Sequence, residues 1–274
     1  MKIAYFDCFS GISGDMCLGA IVDAGVSLIA IEKELKKIPL SGYKLSAWKV
    51  RRKNLVARKV DVLLDSSVHQ FLRKWKDVAK FVEDSSLPHD IKEKGLNIFG
   101  RLFSAEADVH GRSPARVHLH ELAAIDCMVD IFGTLIGLNL LGIERLHSSP
   151  LNLGSGFVRT ANGILPVPAP ATAAILKGVP VYSGKIASEL TTPTGAAIIK
   201  ELAVTFGEVP LMQIEKTGIG AGEKNFRDWP NVLRIFIGDS SDEDQIHSPV
   251  TVIETNIDDM SPQIFGHVID MLYR

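Results

Sequence analysis

Cysteine is scarce: Cys8, Cys17 and Cys127 are the three in a chain of 274 residues. No two are spaced as CxxC, so a disulfide framework and a closed structural zinc site are both excluded. Free thiols in a chain of this size fit a reducing compartment. Long apolar runs are missing too. The longest, Ile131 to Ile143, contains Asn139 and three glycines, and it falls short of the roughly 20 residues a membrane span needs. The first apolar run reaches Asp7 within six residues, too soon for the core of a signal peptide. Nor does either charge prevail. The 30 basic and 32 acidic residues give a net charge of -2, so no global field recruits nucleic acid or an acidic membrane. The expectation is a soluble cytoplasmic protein with neither nucleic-acid nor membrane partners.

What is present is ordinary for a globular chain: 46% hydrophobic and 23% charged residues, enough to build one large domain or two modest ones. Ile3 to Phe6 reads as a buried strand, followed by the turn Ser10-Gly11-Ile12-Ser13-Gly14 and a helix from Asp15 to Ala24. Ser27 opens a second helix, and Tyr43–Val50 and Leu55–Leu64 form two strands around a turn at Lys53-Asn54. Helical spacing then dominates. Val68 to Val82 forms one stripe, Pro88 starts another helix, and Leu122 to Leu141 is apolar on most sides. A proline-rich return leads to a short helix at Thr172–Lys177, and Thr192-Pro193 opens a helix through Leu202, with threonine as cap and proline in the first turn. Gln213–Thr217 and Val232–Ile237 are the closing strands. The fold class predicted is α+β, a mixed sheet with a helical insertion at about residues 68–141, followed by the start of a second, C-terminal domain. The first domain spans 1–238, an acidic linker 239–249, and residues 250–274 begin the second, which reads as truncated. The apolar helix would serve equally as an interface between copies.

Chemistry concentrates in one place. Three of the 8 histidines, His110, His118 and His120, fall within eleven residues, and Glu121, Asp126 and Asp130 follow them. His118 and His120 face the same way on an extended segment, and Asp126 and Asp130 share a helical face one turn apart. Imidazole with carboxylate suits zinc, nickel, copper or iron. Helix starts and surface histidines explain the same residues structurally. The turn after Asp7 leads through small residues into a helix N-terminus, a common anion site that lacks both the Walker lysine and the dinucleotide spacing. Asp15 at that helix start would repel a phosphate unless Asp7 and Asp15 jointly hold a cation; as the alternative, Ser13 caps the helix and Asp15 favours its dipole. Thr191-Thr192-Pro193-Thr194-Gly195 offers hydroxyls at a second helix start, where capping is a complete explanation. Lys216 to Gly222 reads as a flexible glycine-rich turn. The basic run Lys49, Arg51, Arg52, Lys53, Arg58 and Lys59 reads as the solvated face of a hairpin.

Five stretches together resemble one family. YFDCFSGISGDM, VHLHELAAIDCMVDI, ELTTPTGAAI, KTGIGAG and TNIDDMSPQ are similar, in the same order, to the nickel-insertion proteins of nickel-pincer cofactor biosynthesis. The resemblance implies insertion of Ni(2+) into a pyridinium bisthiocarboxylic acid mononucleotide by a metal-inserting lyase, with carbon–metal and sulfur–metal bonds formed. It implies that CTP and Mg(2+) or Mn(2+) serve the complete protein through a C-terminal domain largely missing here. It places the metal at His110, His118, His120 and Glu121; Asp7 and Asp15 stay metal candidates on the residues alone. The phosphate of the substrate falls to Ser10, Gly11, Ser13, Gly14, Thr192 and Thr194, and the base is Asp126 or Asp130, with Glu121 or a histidine as the alternatives. Where members of the family carry a longer histidine run, this chain has GRSPAR, which fits a single metal site rather than storage. A non-catalytic nickel metallochaperone and a divalent-metal phosphoester hydrolase are the alternatives.

Overall fold

Six residues, Lys2–Asp7, form strand β1, and Ile3 to Phe6 are all buried. Burial on both faces is what a strand needs at the centre of a sheet. The computed structural model describes residues 1–65, 67, 74–113, 116–117, 124–160, 163–240, 254 and 261–272. It divides into two units, Met1–Ser241 and Asp242–Arg274.

In the first unit β1 leads to helices α1 (Gly14–Asp23) and α2 (Leu28–Leu35), then to the hairpin of β2 (Tyr43–Arg52) and β3 (Leu55–Leu64). Lys53 takes a φ of +56° at the turn between them. Among the described residues three helices follow: α3 (Trp75–Glu83), α4 (His89–His110) and α5 (Ala124–Leu140). The chain re-enters the sheet at β4 (Arg145–Ser148). It then makes β5 (Leu151–Asn152), the small hairpin β6 (Phe157–Thr160) and β7 (Gly163–Pro166), α6 (Pro170–Ile175) and β8 (Val181–Tyr182). Helix α7 (Pro193–Leu202), β9 (Ala203–Phe206), β10 (Gln213–Ala221) and β11 (Val232–Asp239) complete the unit.

The main sheet has seven strands in the order β2-β3-β10-β11-β1-β4-β9. β1 runs antiparallel to β11, with Lys2 opposite Asp239, and parallel to β4, with Ile3 opposite Arg145. The sheet is therefore mixed, and the helices between β3 and β4 are the insertion expected from the sequence: the fold is α+β. Helix α1 presents Met16, Leu18 and Ile21 to the core, each at most 2% exposed, and full burial of such a side chain contributes about 1.5–3 kcal/mol. In the second unit α8 (Pro262–Leu272) exposes Ile264, Phe265 and Ile269. No helix among the described residues is long and apolar enough to cross a membrane.

One expectation is corrected here. Lys216 to Gly222 is not a flexible turn, because β10 runs unbroken through Ala221. Its glycines answer to α1 instead. A Cβ at Gly218 would lie 2.0 Å from the Ala20 carbonyl oxygen, and one at Gly220 would lie 1.9 Å from that of Met16. The helix rests on the bare backbone of the strand, the close approach that glycine in a strand often marks.

Candidate functional site

The site begins where β1 ends. Gly11 N donates to the Cys8 carbonyl oxygen at 2.9 Å, and Gly11 has a φ of +76° that favours glycine. Ile12 N then donates to Leu190 O and Thr192 N to Ile12 O, both at 3.0 Å. The turn into α1 and the segment into α7 are thus zipped side by side, and both helices start at one cleft of about 960 Å³.

Ser13, Gly14 and Asp15 line this cleft from α1, and Thr192 and Thr194 from α7. Asp126, Cys127 and Asp130 line it from α5, Lys59 and Asp61 from β3, and Glu106 from α4. Arg159 on β6 and Lys224 beyond β10 complete the cationic part of the lining. Of the residues expected to grip phosphate, Ser13, Gly14, Thr192 and Thr194 reach the cleft. Ser10 and Gly11 lie behind it: Ser10 is buried and accepts from Trp229 Nε1 at 2.9 Å, and a Cβ on Gly11 would meet Leu190 O at 2.1 Å. The Thr192 hydroxyl caps α7 by accepting from Gly195 N at 3.2 Å. Ser13 makes no such cap bond; its hydroxyl donates to Asp15 Oδ1.

The floor is acidic. Lys59, 8% exposed, sits 2.6 Å from Asp15 Oδ2 and 2.8 Å from Asp61 Oδ1. Burial alone would lower its pKa; the two carboxylates outweigh that and hold it above the ordinary lysine value. Burial, reinforced by the Asp15 carboxylate, pushes Asp126 up to about 6. Asp130 lies well above the usual carboxylate range, chiefly from burial and then from Asp126 and Asp15. Its Oδ1 has no hydrogen-bond partner among the described residues. Its Oδ2 would lie 2.3 Å from a Cβ on Gly14, so glycine at the start of α1 is what lets the acid pack there. Two neighbouring acids with raised pKa values in a cleft are the pattern of an acid–base site. The thiols are poor nucleophiles by contrast: burial pushes Cys8 up to about 12, and Cys17 and Cys127 are also raised by burial.

His110 closes α4 with Nε2 3.3 Å from Glu106 Oε2, so it meets the cleft through Glu106. His118, His120 and Glu121 lie outside the described residues. Asp7 lies outside the cleft lining and is ion-paired with Arg234, whose guanidinium also stacks 5.4 Å over the Phe9 ring. Asp7 and Asp15 each have a basic partner, so a cation shared between them would have to displace both. Among the described residues no group of three His, Cys, Asp or Glu side chains is disposed to hold a metal ion.

Lys59 corrects the reading of its basic run as a solvated hairpin face, since its ammonium is buried between two acids. The signal was the alternation Lys59-x-Asp61, which places both side chains on one face of a strand. Glu106, Arg159 and Lys224 carry no motif and become visible only when the elements are assembled.

Comparison with known proteins fixes the lineage. The model of the family described as nickel insertion protein matches residues 4–274. The chain belongs to the nickel insertion protein family. A relative in Syntrophobacter fumaroxidans is 48% identical over 273 residues, covering 100% of this chain and 69% of its own length. One in Dictyoglomus thermophilum is 46% identical, covering 100% of this chain and 70% of its own. Both names include the words nickel insertion protein. A third, in Desulfitobacterium hafniense, is 42% identical over 280 residues, covering 100% of this chain and 69% of its own length, and is named pyridinium-3,5-bisthiocarboxylic acid mononucleotide nickel insertion protein. No solved structure matches the chain.

Proposed function

We infer that the chain acts as a metal-inserting lyase that places nickel in the pyridinium mononucleotide named for its Desulfitobacterium relative. The observation that carries the reading is the cleft itself, where two helix starts bearing hydroxyls face two acids one turn apart on a third helix, Asp126 half-buried and Asp130 buried. A mononucleotide of this kind has an anionic phosphate, a cationic ring and thiocarboxylate groups. The phosphate suits the free N–H groups of α1 and the hydroxyls of Ser13, Thr192 and Thr194, with Ser10 and Gly11 shaping the turn behind. The ring suits the acidic floor.

Nickel is a substrate here. His110, which lies beside Glu106, would hold it together with His118, His120 and Glu121, and the thiocarboxylate sulfurs would complete its coordination. In the insertion step the ring C–H bond breaks, the proton passes to a carboxylate, and the carbon electron pair forms the bond to nickel, which stays divalent. Asp126, with its pKa pushed up to about 6, is basic enough to take the proton and is still mostly ionised at neutral pH. Asp130, held well above the usual carboxylate range chiefly by burial, lies one turn further along the same helix. CTP with Mg(2+) or Mn(2+) is what the family resemblance adds through the C-terminal part; among the described residues no group of three donors is disposed to hold a resident cation. Residence in the cytoplasm and self-association remain part of the proposal.

The test supplies the protein with nickel, the bisthiocarboxylate mononucleotide and magnesium CTP, and follows the nickel complex by mass spectrometry. Asp126→Asn should lower turnover by about 10²–10⁴-fold while substrate binding persists. Full activity in that variant would remove Asp126 as the base. No product from the wild type, when it is also supplied with the C-terminal part that its relatives carry, would sink the reading itself.

A further inference from the structure

The two helix starts are held together by a side chain that touches neither the cleft nor any charge. Asn152, at the end of β5, is 1% exposed. Its Nδ2 donates to the Phe9 carbonyl oxygen at 2.8 Å, in the turn that leads to α1. Its Oδ1 accepts from Gly154 N and from Gly184 N, both at 3.0 Å. Its own carbonyl accepts the Thr191 hydroxyl at 2.8 Å, one residue before the cap of α7. One residue therefore ties the exit of β1, the loop after β5, the loop after β8 and the entry to α7.

We propose that Asn152 is the positioning residue of the cleft, setting the distance between the α1 and α7 starts so that both engage one phosphate. The inference rests on the substrate reading above. Its physical basis is that a buried amide with every polar atom in use fixes the backbone segments it joins, and that each lost bond would leave a buried group unpaired. The geometry also excludes close substitutes. Aspartate keeps an acceptor for Gly154 and Gly184 but sets its second oxygen against the Phe9 carbonyl oxygen, where the amide donates. Alanine strands the Gly154 and Gly184 N–H groups and leaves the Phe9 carbonyl oxygen to the Tyr182 hydroxyl, 3.4 Å away. Gly184 is part of the same device, because a Cβ there would lie 2.7 Å from Asn152 Nδ2.

The experiment compares Asn152→Asp and Gly184→Ala with Phe99→Leu, a core change at the α4–α5 contact, where Phe99 stacks on Phe132, that lowers stability without touching these loops. Affinity for nicotinic acid mononucleotide, a pyridinium mononucleotide, is read by calorimetry, and exchange of the Ile12, Gly154, Gly184 and Thr192 amides is read by mass spectrometry. The expected result is an affinity loss of about tenfold or more in the two loop variants, with faster exchange at those amides, and neither change in Phe99→Leu. Loop variants that match Phe99→Leu in both measurements would overturn the proposal. Gly184→Ala carries the test if Asn152→Asp does not fold. If the wild type fails to bind the probe, the substrate reading falls, and Asn152 is then judged on exchange alone: unchanged amides refute it.

Discussion

Replacing Asp126 by asparagine should make the protein more stable at neutral pH while disabling it. Burial and the Asp15 carboxylate raise the Asp126 pKa from 3.8 to about 6. An acid whose pKa is higher folded than unfolded takes up a proton on folding between those two values. Its contribution is therefore best at low pH and is lost as pH rises through about 4 to 6. At 1.36 kcal/mol per pH unit the full rise corresponds to about 3 kcal/mol, and about 2 kcal/mol remains after allowance for the part of the carboxyl that water reaches. Asp130, raised in the same direction, extends the loss to higher pH. Urea unfolding of wild type and Asp126→Asn across pH 4 to 8 measures this directly. The variant should gain about 2 kcal/mol at pH 8, and the difference should shrink towards zero near pH 4. A variant no more stable than wild type at pH 8, or a gain independent of pH, would refute the assignment of a strained acid to this cleft.

Gly14→Ala should destabilise by about 1–3 kcal/mol, because the new Cβ would lie 2.3 Å from Asp130 Oδ2 and 2.7 Å from its Cβ; thermal unfolding checks it, and an unchanged Tm would mean that α1 shifts freely. All three cysteines are buried with raised pKa values, so iodoacetamide at pH 8 should label none in the native protein and all three after unfolding, as counted by mass spectrometry.

The outline of the fold was legible because its strongest signals are local. Thr192-Pro193 states a cap and a first turn, and the structure places α7 there with the threonine hydroxyl capping Gly195 N. Asp126 and Asp130, one turn apart on an apolar helix, were visible as a pair, although their depth was not: it comes from α1 and β3 packing over them. The glycines of β10 misled because close backbone contact and turn flexibility ask for the same residue. Lys59 was hidden among exposed lysines and arginines, and its burial depends on Asp15, far away in sequence. The short strands β4 to β9 carry two to four residues each, too few for a periodic signal. The histidine block, the plainest chemical signal in the sequence, falls mostly outside the described residues.

The pairing of β1 with β11, Lys2 opposite Asp239, bears on how the protein is made. The acids of α5 are synthesised long before the strands that close the sheet, and β11 is the neighbour β1 waits for. Such long-range pairing is slow to form. A growing chain would carry Asp126 and Asp130 without the α7 wall or the β10 support that turns them into a cleft. The cleft is therefore assembled only after β11 has been made: a ribosome-bound intermediate has the carboxylates but not the walls that enclose them.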